Sequence, residues 1–286
     1  MIEKHKSKWS NLGNDTRFFI ITGGRGSGKS FEVGRFASLL SFEKNHKILF
    51  TRQTMTSAHL SIIPEFQEKI ELLELQPYFD VTRGEIKNTS SGSSIIFKGL
   101  KSSSGDQTAN LKSLQGTTTW ILDEAEELVN EFTFDKINLS LRQKGVQNRV
   151  ILILNPATKE HWIYKRFFEQ AGVKESFTGV KGDVTYIHST YLDNLENLDQ
   201  SFLNEIARIK KNNPTKYEHV ILGGWLDKAH GVVFTNWSFG NFNPNNKQVS
   251  YGQDYGFSID PTVLISVAID RKLKKIYVKE HLYKAN

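Results

Sequence analysis

Phe18-Phe19-Ile20-Ile21-Thr22-Gly23-Gly24-Arg25-Gly26-Ser27-Gly28-Lys29-Ser30 opens as a short β-branched and aromatic run, breaks into glycines and ends on a lysine and a hydroxyl. Immediately beyond it Val33, Phe36, Ala37 and Leu40 recur at i, i+3, i+4 and i+7, the spacing of one apolar helix face. The order is therefore strand, glycine loop, helix. Gly23 to Ser30 fits G-x-x-x-x-G-K-[ST], the Walker A phosphate loop. Glycines at Gly23, Gly24, Gly26 and Gly28 let backbone N–H groups converge on phosphate oxygens, with Arg25 and Ser27 between them. The following helix N-terminus adds positive potential, Lys29 bridges phosphates and the Ser30 hydroxyl ligates Mg²⁺.

Outward from this point the same alternation repeats. Lys47–Thr51 is a second buried strand, and Ser57–Leu75 carries apolar residues at helical spacing, with Pro64 expected to kink or divide it. Phe79–Thr89 and Ser94–Leu100 read as a hairpin around a Ser/Gly stretch. Thr119–Leu122 and Val150–Leu154 are further apolar runs, with a helix expected from about Phe134 to Gln143 between them. Strands alternating with helices, several of the strands unbroken apolar runs, predict an α/β fold: a mostly parallel sheet flanked by helices.

A phosphate loop that hydrolyses its nucleotide also needs an acid for the metal and a group that activates water. Trp120-Ile121-Leu122-Asp123-Glu124 ends an apolar strand on both: Asp123 would hold Mg²⁺, directly or through water, and Glu124 would polarise the attacking water. The bland alternative is that these acids merely begin an acidic helix, Asp123–Glu127, favoured there by its dipole. Asn155 follows the strand Ile151–Leu154, where it would reach the γ-phosphate or the water and sense hydrolysis, or else form an ordinary Asn-Pro turn. Arg25 would stabilise transition-state charge, serve a neighbouring subunit, or simply be a solvated loop arginine. Lys112 and Arg142 are weaker candidates for the same task.

Length and composition narrow the class. The chain has 286 residues, enough for one large domain or one and part of another. With 38% hydrophobic residues it can bury a core, so wholesale disorder is excluded. The absence of cysteine excludes disulfide scaffolds, zinc ribbons and thiol nucleophiles, and no His pair has metal-ligand spacing. The polar N-terminus is not a secretory signal, and the longest aliphatic run, Val150–Leu154, is far shorter than a membrane span. A soluble cytoplasmic protein is expected. Thirty-seven basic against 31 acidic residues leave a net +6, which mildly favours a polyanionic partner. Past Gly223-Gly224-Trp225 the chain becomes rich in Asn and Gly as far as Ser250, as a linker does. Val263–Ile269 and Lys275–His281 then read as strands joined by a lysine turn at Arg271–Lys274.

Taken together these segments resemble the large terminase subunit of tailed bacteriophages, especially the type common in Gram-positive phages and prophages. The similarity runs through GGRGSGKS at 23–30, Thr51-Arg52-Gln53, WILDEAEEL at 120–128 and LNPATKEHWIYKRF at 154–167. It continues in HSTYLDN at 188–194, GGWLDKAHGVVF at 223–234 and YGQDYGFSIDPTVL at 251–264. The resemblance implies an ATP-driven motor that packages double-stranded DNA into a procapsid, partnered by a portal protein and a small terminase subunit. It would form a homo-oligomer on the portal, working without a membrane in the cytoplasm of the infected bacterium. It also implies a ribonuclease H-like nuclease domain, with Asp254 as the first acid of a Mg²⁺ or Mn²⁺ site.

On that basis the chain divides into an ATPase domain at 1–226, a linker at 227–249 and the first strands of the nuclease fold at 250–286. Such a nuclease needs three or four carboxylates, and of Asp260, Asp270 and Glu280 only Glu280 lies where it would join Asp254. A chain truncated in its nuclease domain, and inactive as a nuclease, is expected. Two rivals keep the ATP site: a helicase or other nucleic-acid translocase, and a nucleotide-gated scaffold without useful turnover. Basic clusters at Lys4-Lys6-Lys8, Arg208-Lys210-Lys211 and Arg271–Lys275 are either solvated faces or a DNA track, and no base-reading motif accompanies them.

Overall fold

The first strand, β1 (Phe18–Gly23), follows a short helical turn, α1 (Lys6–Trp9), and is buried at all six positions. The glycine loop then delivers the chain into helix α2 (Lys29–Leu40), and β2 (Lys47–Thr54) with α3 (Ile62–Leu72) repeats the unit. Three strands follow: β3 (Phe79–Val81), β4 (Glu85–Asn88) and β5 (Ser94–Lys101). The alternation resumes with β6 (Thr119–Asp123), α4 (Glu131–Asn138), β7 (Arg149–Leu154) and α5 (Trp162–Tyr164), which runs on through a π-helical turn at Lys165–Glu169. After β8 (Gly179–Lys181) and β9 (Val184–Ser189) comes a helical segment. It comprises a 3₁₀ stretch at Tyr191–Asn197, α6 (Gln200–Asn212), and α7 (Pro214–Lys216) with a π turn at Tyr217–Ile221. This computed structural model describes residues 6–54, 62–101, 115–227, 240–244, 247–255 and 262–284.

The nine strands form one sheet in the order β3-β4-β5-β2-β6-β7-β1-β9-β8. Its six central strands, β5 to β9 in that order, are parallel, and antiparallel pairs β3–β4, β4–β5 and β8–β9 close the two edges. Strand side chains alternate between faces, and both faces are filled. Phe18, Ile20, Trp120, Leu122 and Leu152 pack with Phe134, Trp162 and Phe167 on one side. Phe19, Ile21, Ile121, Ile151 and Ile153 pack with Val33, Ala37 and Phe66 on the other. Burial on both faces is why these strands read as continuous apolar runs instead of alternating ones. A mixed sheet flanked by helices, with a parallel centre, thus agrees with the expectation.

Several elements differ from the sequence reading. The described part of helix α3, Ile62–Leu72, runs on past Pro64 as one helix, so the proline does not divide it there. Residues 55–61 lie outside the described set. Helix α4 starts and ends earlier than 134–143. Asn130 caps it by accepting from the Thr133 N–H, and at its C-terminal end Arg17 grips the Asn138 side chain and carbonyl. Phe79–Thr89 is two strands, not one, turning at Thr82–Gly84. Strand β9 and helix α6 were not anticipated as elements. Among the described residues no helix is long and apolar enough to cross a membrane.

By internal contacts the chain separates into two units, Met1–Gly231 and Val232–Asn286. The second holds a three-stranded antiparallel sheet, β10 (Val249–Asp254), β11 (Thr262–Asp270) and β12 (Lys275–Lys284), in that order. The lysine turn between β11 and β12 forms as expected, with the Asp270 carboxylate accepting from the N–H groups of Lys272 and Leu273.

Candidate functional site

In the sheet order, β6, β7 and β1 are neighbours, and all three run parallel. Their carboxyl ends therefore deliver three loops to one edge, the place where open α/β sheets bind ligands. The loop after β1 is the glycine segment. Gly26 and Gly28 have φ of 78° and 75°, which L side chains rarely adopt. Gly24 is required for another reason: a Cβ there would lie 1.9 Å from the Ile221 carbonyl oxygen. Gly23 closes β1, Ser27 is buried, and Lys29 and Ser30 are the first two residues of α2.

The side chains at this edge form two hydrogen-bonded groups, which adjoin where Lys29 and Ser30 follow one another at the start of α2. Lys29 Nζ donates to Asn155 Oδ1 at 2.7 Å and to the Gly24 carbonyl at 3.2 Å. Ser30 Oγ donates to Asp123 Oδ1 at 3.1 Å. Asp123 ends β6 and is almost wholly buried. Its other oxygen, Oδ2, accepts from Arg52 Nε at 2.9 Å and from Nη2 at 2.7 Å. Asn155 in turn donates from Nδ2 to Glu126 Oε1 at 3.2 Å. Glu124 has φ 56° and ψ 46°, a left-handed conformation that costs a non-glycine residue about 1–2 kcal/mol. The residues after it form only a 3₁₀ turn, Ala125–Glu127, so the acidic-helix alternative for Asp123–Glu127 is not what the chain adopts. Arg25 is exposed, and its backbone N–H donates to the Val220 carbonyl at 2.9 Å.

Burial and charge set the protonation of these groups. Burial draws the Lys29 ammonium below its ordinary pKa, opposed by the carboxylates of Glu126 and Asp123. Burial pushes the Glu124 carboxyl up; Arg52, with Nε 3.9 Å from Glu124 Oε2, opposes this and Asp123 adds to it. Glu126 is likewise raised by burial, against its bonding with Asn155 and the charge of Lys29. Burial would lower Arg52, yet Asp123 outweighs it and the guanidinium ends above its usual value. A lysine desolvated at the mouth of a glycine loop suits an anionic ligand, whose charge would favour the ammonium form.

The residues fit both groups that the motif implies. Backbone N–H groups, a helix N-terminus and Lys29 are the donor set for phosphate. The Ser30 hydroxyl and the Asp123 carboxylate, held 3.1 Å apart, are hard oxygen donors. Two protein ligands suit Mg²⁺, which keeps waters and shares phosphate oxygens instead of entering an all-protein cage.

Sequence reasoning singled out Lys29, Ser30, Asp123, Glu124 and Asn155, and the fold brings all five to one edge. It passed over Glu126, and it quoted Arg52 only within the resemblance. An acid three residues past Asp123 was the available signal for the first; for the second there was none without the strand order. Arg142 is exposed, and Lys112 and Asp260 lie outside the described residues. Of the basic clusters, Lys8 pairs with Asp193, Arg208 with Glu205, and Lys210 lies over the Tyr217 ring. Asp254 ends β10 in the second unit and is exposed. Among the described residues no three His, Cys, Asp or Glu side chains gather as a metal site.

Comparison with known proteins gives one consistent result. The family described as "Phage terminase large subunit" matches residues 15–224. The terminase large subunit of Bacillus phage SPP1 is 27% identical over 283 residues, covering 92% of this chain and 63% of that protein. The PBSX phage terminase large subunit of Bacillus subtilis (strain 168) is 26% identical over 284 residues, covering 92% and 64%. The chain thus spans just under two-thirds of the length of these relatives. Among solved structures, the large terminase of a thermophilic bacteriophage in complex with ADP aligns with a TM-score of 0.59 at 15% identity, covering 97% of this chain and 68% of that one. A mutant ATPase domain of the Thermus phage P74-26 large terminase aligns with a TM-score of 0.55 at 17% identity, covering 78% and 95%. At such identities the structural likeness speaks to the fold.

Proposed function

The chain belongs to the phage terminase large subunit family, and on that premise we propose that it is an Mg²⁺-dependent ATPase driving double-stranded viral DNA into a procapsid. The observation that carries this reading is the pairing of Lys29 with Asn155 and of Ser30 with Asp123, each by a hydrogen bond, at the carboxyl edge of β1, β6 and β7. The glycine loop at 23–28 and Lys29 bind the phosphates. Ser30 and Asp123 would hold Mg²⁺, which when bound neutralises charge on the departing phosphate oxygens. Arg52 fixes the Asp123 carboxylate while leaving Oδ1 turned towards Ser30. Glu124 takes the proton from the attacking water, and the charge of Arg52 opposes the burial that raises its carboxyl pKa. Asn155, tied to both Lys29 and Glu126, registers the loss of the γ-phosphate and passes it to the loop beyond β7. Arg25 serves charge stabilisation from the loop's exposed side.

The remaining assignments follow the family. Residues 1–226 form the ATPase domain, 227–249 a linker, and 250–286 the opening strands of a ribonuclease H-like nuclease. Asp254 would be a ligand for Mg²⁺ or Mn²⁺ there. In support, Gly252, Ile265 and Glu280 are cross-strand partners, which puts Asp254 and Glu280 on one face of the small sheet. Partners would be duplex DNA, a portal protein, a small terminase subunit and further copies of the chain, in the cytoplasm of an infected bacterium.

Phosphate release measured with and without duplex DNA tests the ATPase reading. Glu124→Gln should still bind nucleotide and lose about 10²–10⁴ in turnover, the usual share of a general base. Turnover equal to that of the parent protein in this variant would refute the assignment.

A further inference from the structure

The segment 188–194, His188-Ser189-Thr190-Tyr191-Leu192-Asp193-Asn194, has no part in the chemistry above, yet it touches the glycine loop at several points. Strand β9 lies parallel to β1 with His188 beside Thr22 and Ser189 beside Gly23. The chain leaving β9 therefore runs along the outside of the loop. Ser189, fully buried, donates from Oγ to the Ser27 carbonyl at 3.0 Å. Asn194 donates from Nδ2 to the Gly26 carbonyl at 2.9 Å, and its carboxamide lies 3.4–3.5 Å from where a Cβ on Gly28 would stand.

We propose that Ser189 and Asn194 are positioning residues for nucleotide phosphates, acting by holding two peptide planes of the glycine loop. The physical reason is the planarity of the peptide bond. The Gly26 carbonyl shares a plane with the Ser27 N–H, and the Ser27 carbonyl shares one with the Gly28 N–H; in a trans peptide the two groups point in opposite directions. A donor outside the loop that fixes each carbonyl therefore turns the matching N–H inward, where a row of such groups makes an anion-binding nest. Gly26 and Gly28, at φ near +75°, lie on the soft part of the backbone, and glycine resists reorientation least.

The brace is itself held. Asn197 Nδ2 donates to Asn194 Oδ1 at 2.8 Å, which leaves the Asn194 amino group facing Gly26. Asp193 accepts from the Thr190 N–H at 2.8 Å and pairs with Lys8 at 2.8 Å, tying the turn to the N-terminal segment. His188 Nδ1 lies 2.9 Å from Thr22 Oγ1, the residue just before the loop. Asn194 departs from helical geometry at φ −133°, and that kink aims its side chain at the loop.

This inference rests on the reading of 23–30 as a phosphate loop, and the test separates the two. Equilibrium binding of a fluorescent ADP analogue, with inorganic pyrophosphate as competitor, is measured on the full chain and on Ser189→Ala, Asn194→Ala, Ser189→Thr and Lys29→Ala. Temperatures are kept well below every variant's unfolding transition. Each alanine variant should bind ADP and pyrophosphate about threefold to tenfold more weakly, the fold-change expected of one lost hydrogen bond, while Ser189→Thr, which keeps the hydroxyl, binds as the parent does. Amide exchange at residues 26–28 of the nucleotide-free chain should quicken in the same two alanine variants. If the parent binds and both alanine variants match it within twofold, the brace is refuted and the phosphate loop stands. A parent that binds no better than Lys29→Ala would overturn both.

Discussion

Strands β7 and β12 carry similar apolar residues and meet opposite fates. Every residue of β7, Arg-Val-Ile-Leu-Ile-Leu, is buried, whereas β12, Lys-Ile-Tyr-Val-Lys-Glu-His-Leu-Tyr-Lys, is exposed along nearly its whole length. Ile276 and Val278 each keep 58% of their surface in water. The difference lies in what covers the strand. β7 is flanked by parallel strands and roofed on both faces by helices, so each apolar side chain removes its area from water and contributes about 1.5–3 kcal/mol. β12 mixes an apolar Ile-Tyr-Val run with Lys, Glu and His and is exposed at nearly every position, so little covers either of its faces. Chemistry follows the same division: the connected site sits where strands are buried, because only a rigid, desolvated edge can hold Lys29 and Asp123 in place.

The contrast can be tested in order of expected effect. Glu124→Gln should lose about 10²–10⁴ in ATP turnover, whereas Ile276→Ala in β12 should leave turnover unchanged; a phosphate-release assay on both decides it. Trp120 is fully buried in β6 with its indole N–H donating to Thr51 Oγ1 at 2.8 Å. Trp120→Ala should lower unfolding stability by about 3–5 kcal/mol, against roughly ±0.5 kcal/mol for Ile276→Ala. Equal losses in denaturant titrations would erase the distinction between the two sheets.

Arg52→Gln leaves the buried Asp123 without its charged partner. About 1.5–3 kcal/mol of stability should go with it, the worth of hydrogen bonds to a charged group, and Mg²⁺ should restore part of that loss in thermal melts. Glu124→Gly should do the reverse, gaining about 1 kcal/mol by relieving the left-handed backbone while abolishing turnover. A variant that is no more stable than its parent would show that Glu124 carries no strain.

The last test is pH. Burial lowers the imidazole pKa of His46, His161 and His188 below the ordinary value of 6.5. Above that value the imidazoles are neutral in both states. As pH falls through it the unfolded chain takes up protons first, so stability declines until the folded imidazoles protonate as well. The melting temperature should drop on acidification from about pH 7.5 to 5.5, and less steeply in His46→Gln. A flat profile would count against buried, neutral histidines.

How much of this was legible beforehand depended on which contacts are local. The buried strands β1, β2, β6 and β7 announced themselves as apolar runs. Strand β9, Val-Thr-Tyr-Ile-His-Ser, did not, because its polar members are satisfied only by neighbours: Thr185 by Thr16, His188 by Thr22 and Ser189 by the Ser27 carbonyl. Helix α6 hid behind its basic residues, although Phe202, Leu203, Ile206 and Ile209 share its inner face.

The amino-acid sequence by itself determined the strand, loop and helix around Gly23–Ser30, the acids at Asp123 and Glu124, and the polar residue at Asn155. Each follows from chemistry within a few residues: backbone freedom at glycine, apolar periodicity, and the carboxylates that metal and water require. Only the tertiary structure decided that Arg52 clasps Asp123, that Glu126 holds Asn155, and that Ser189 and Asn194 brace the loop. Those pairings depend on β2 lying beside β6, β6 beside β7 and β9 beside β1. Strand order is set by how two helical layers cover one sheet, a global packing solution that no local stretch of sequence encodes.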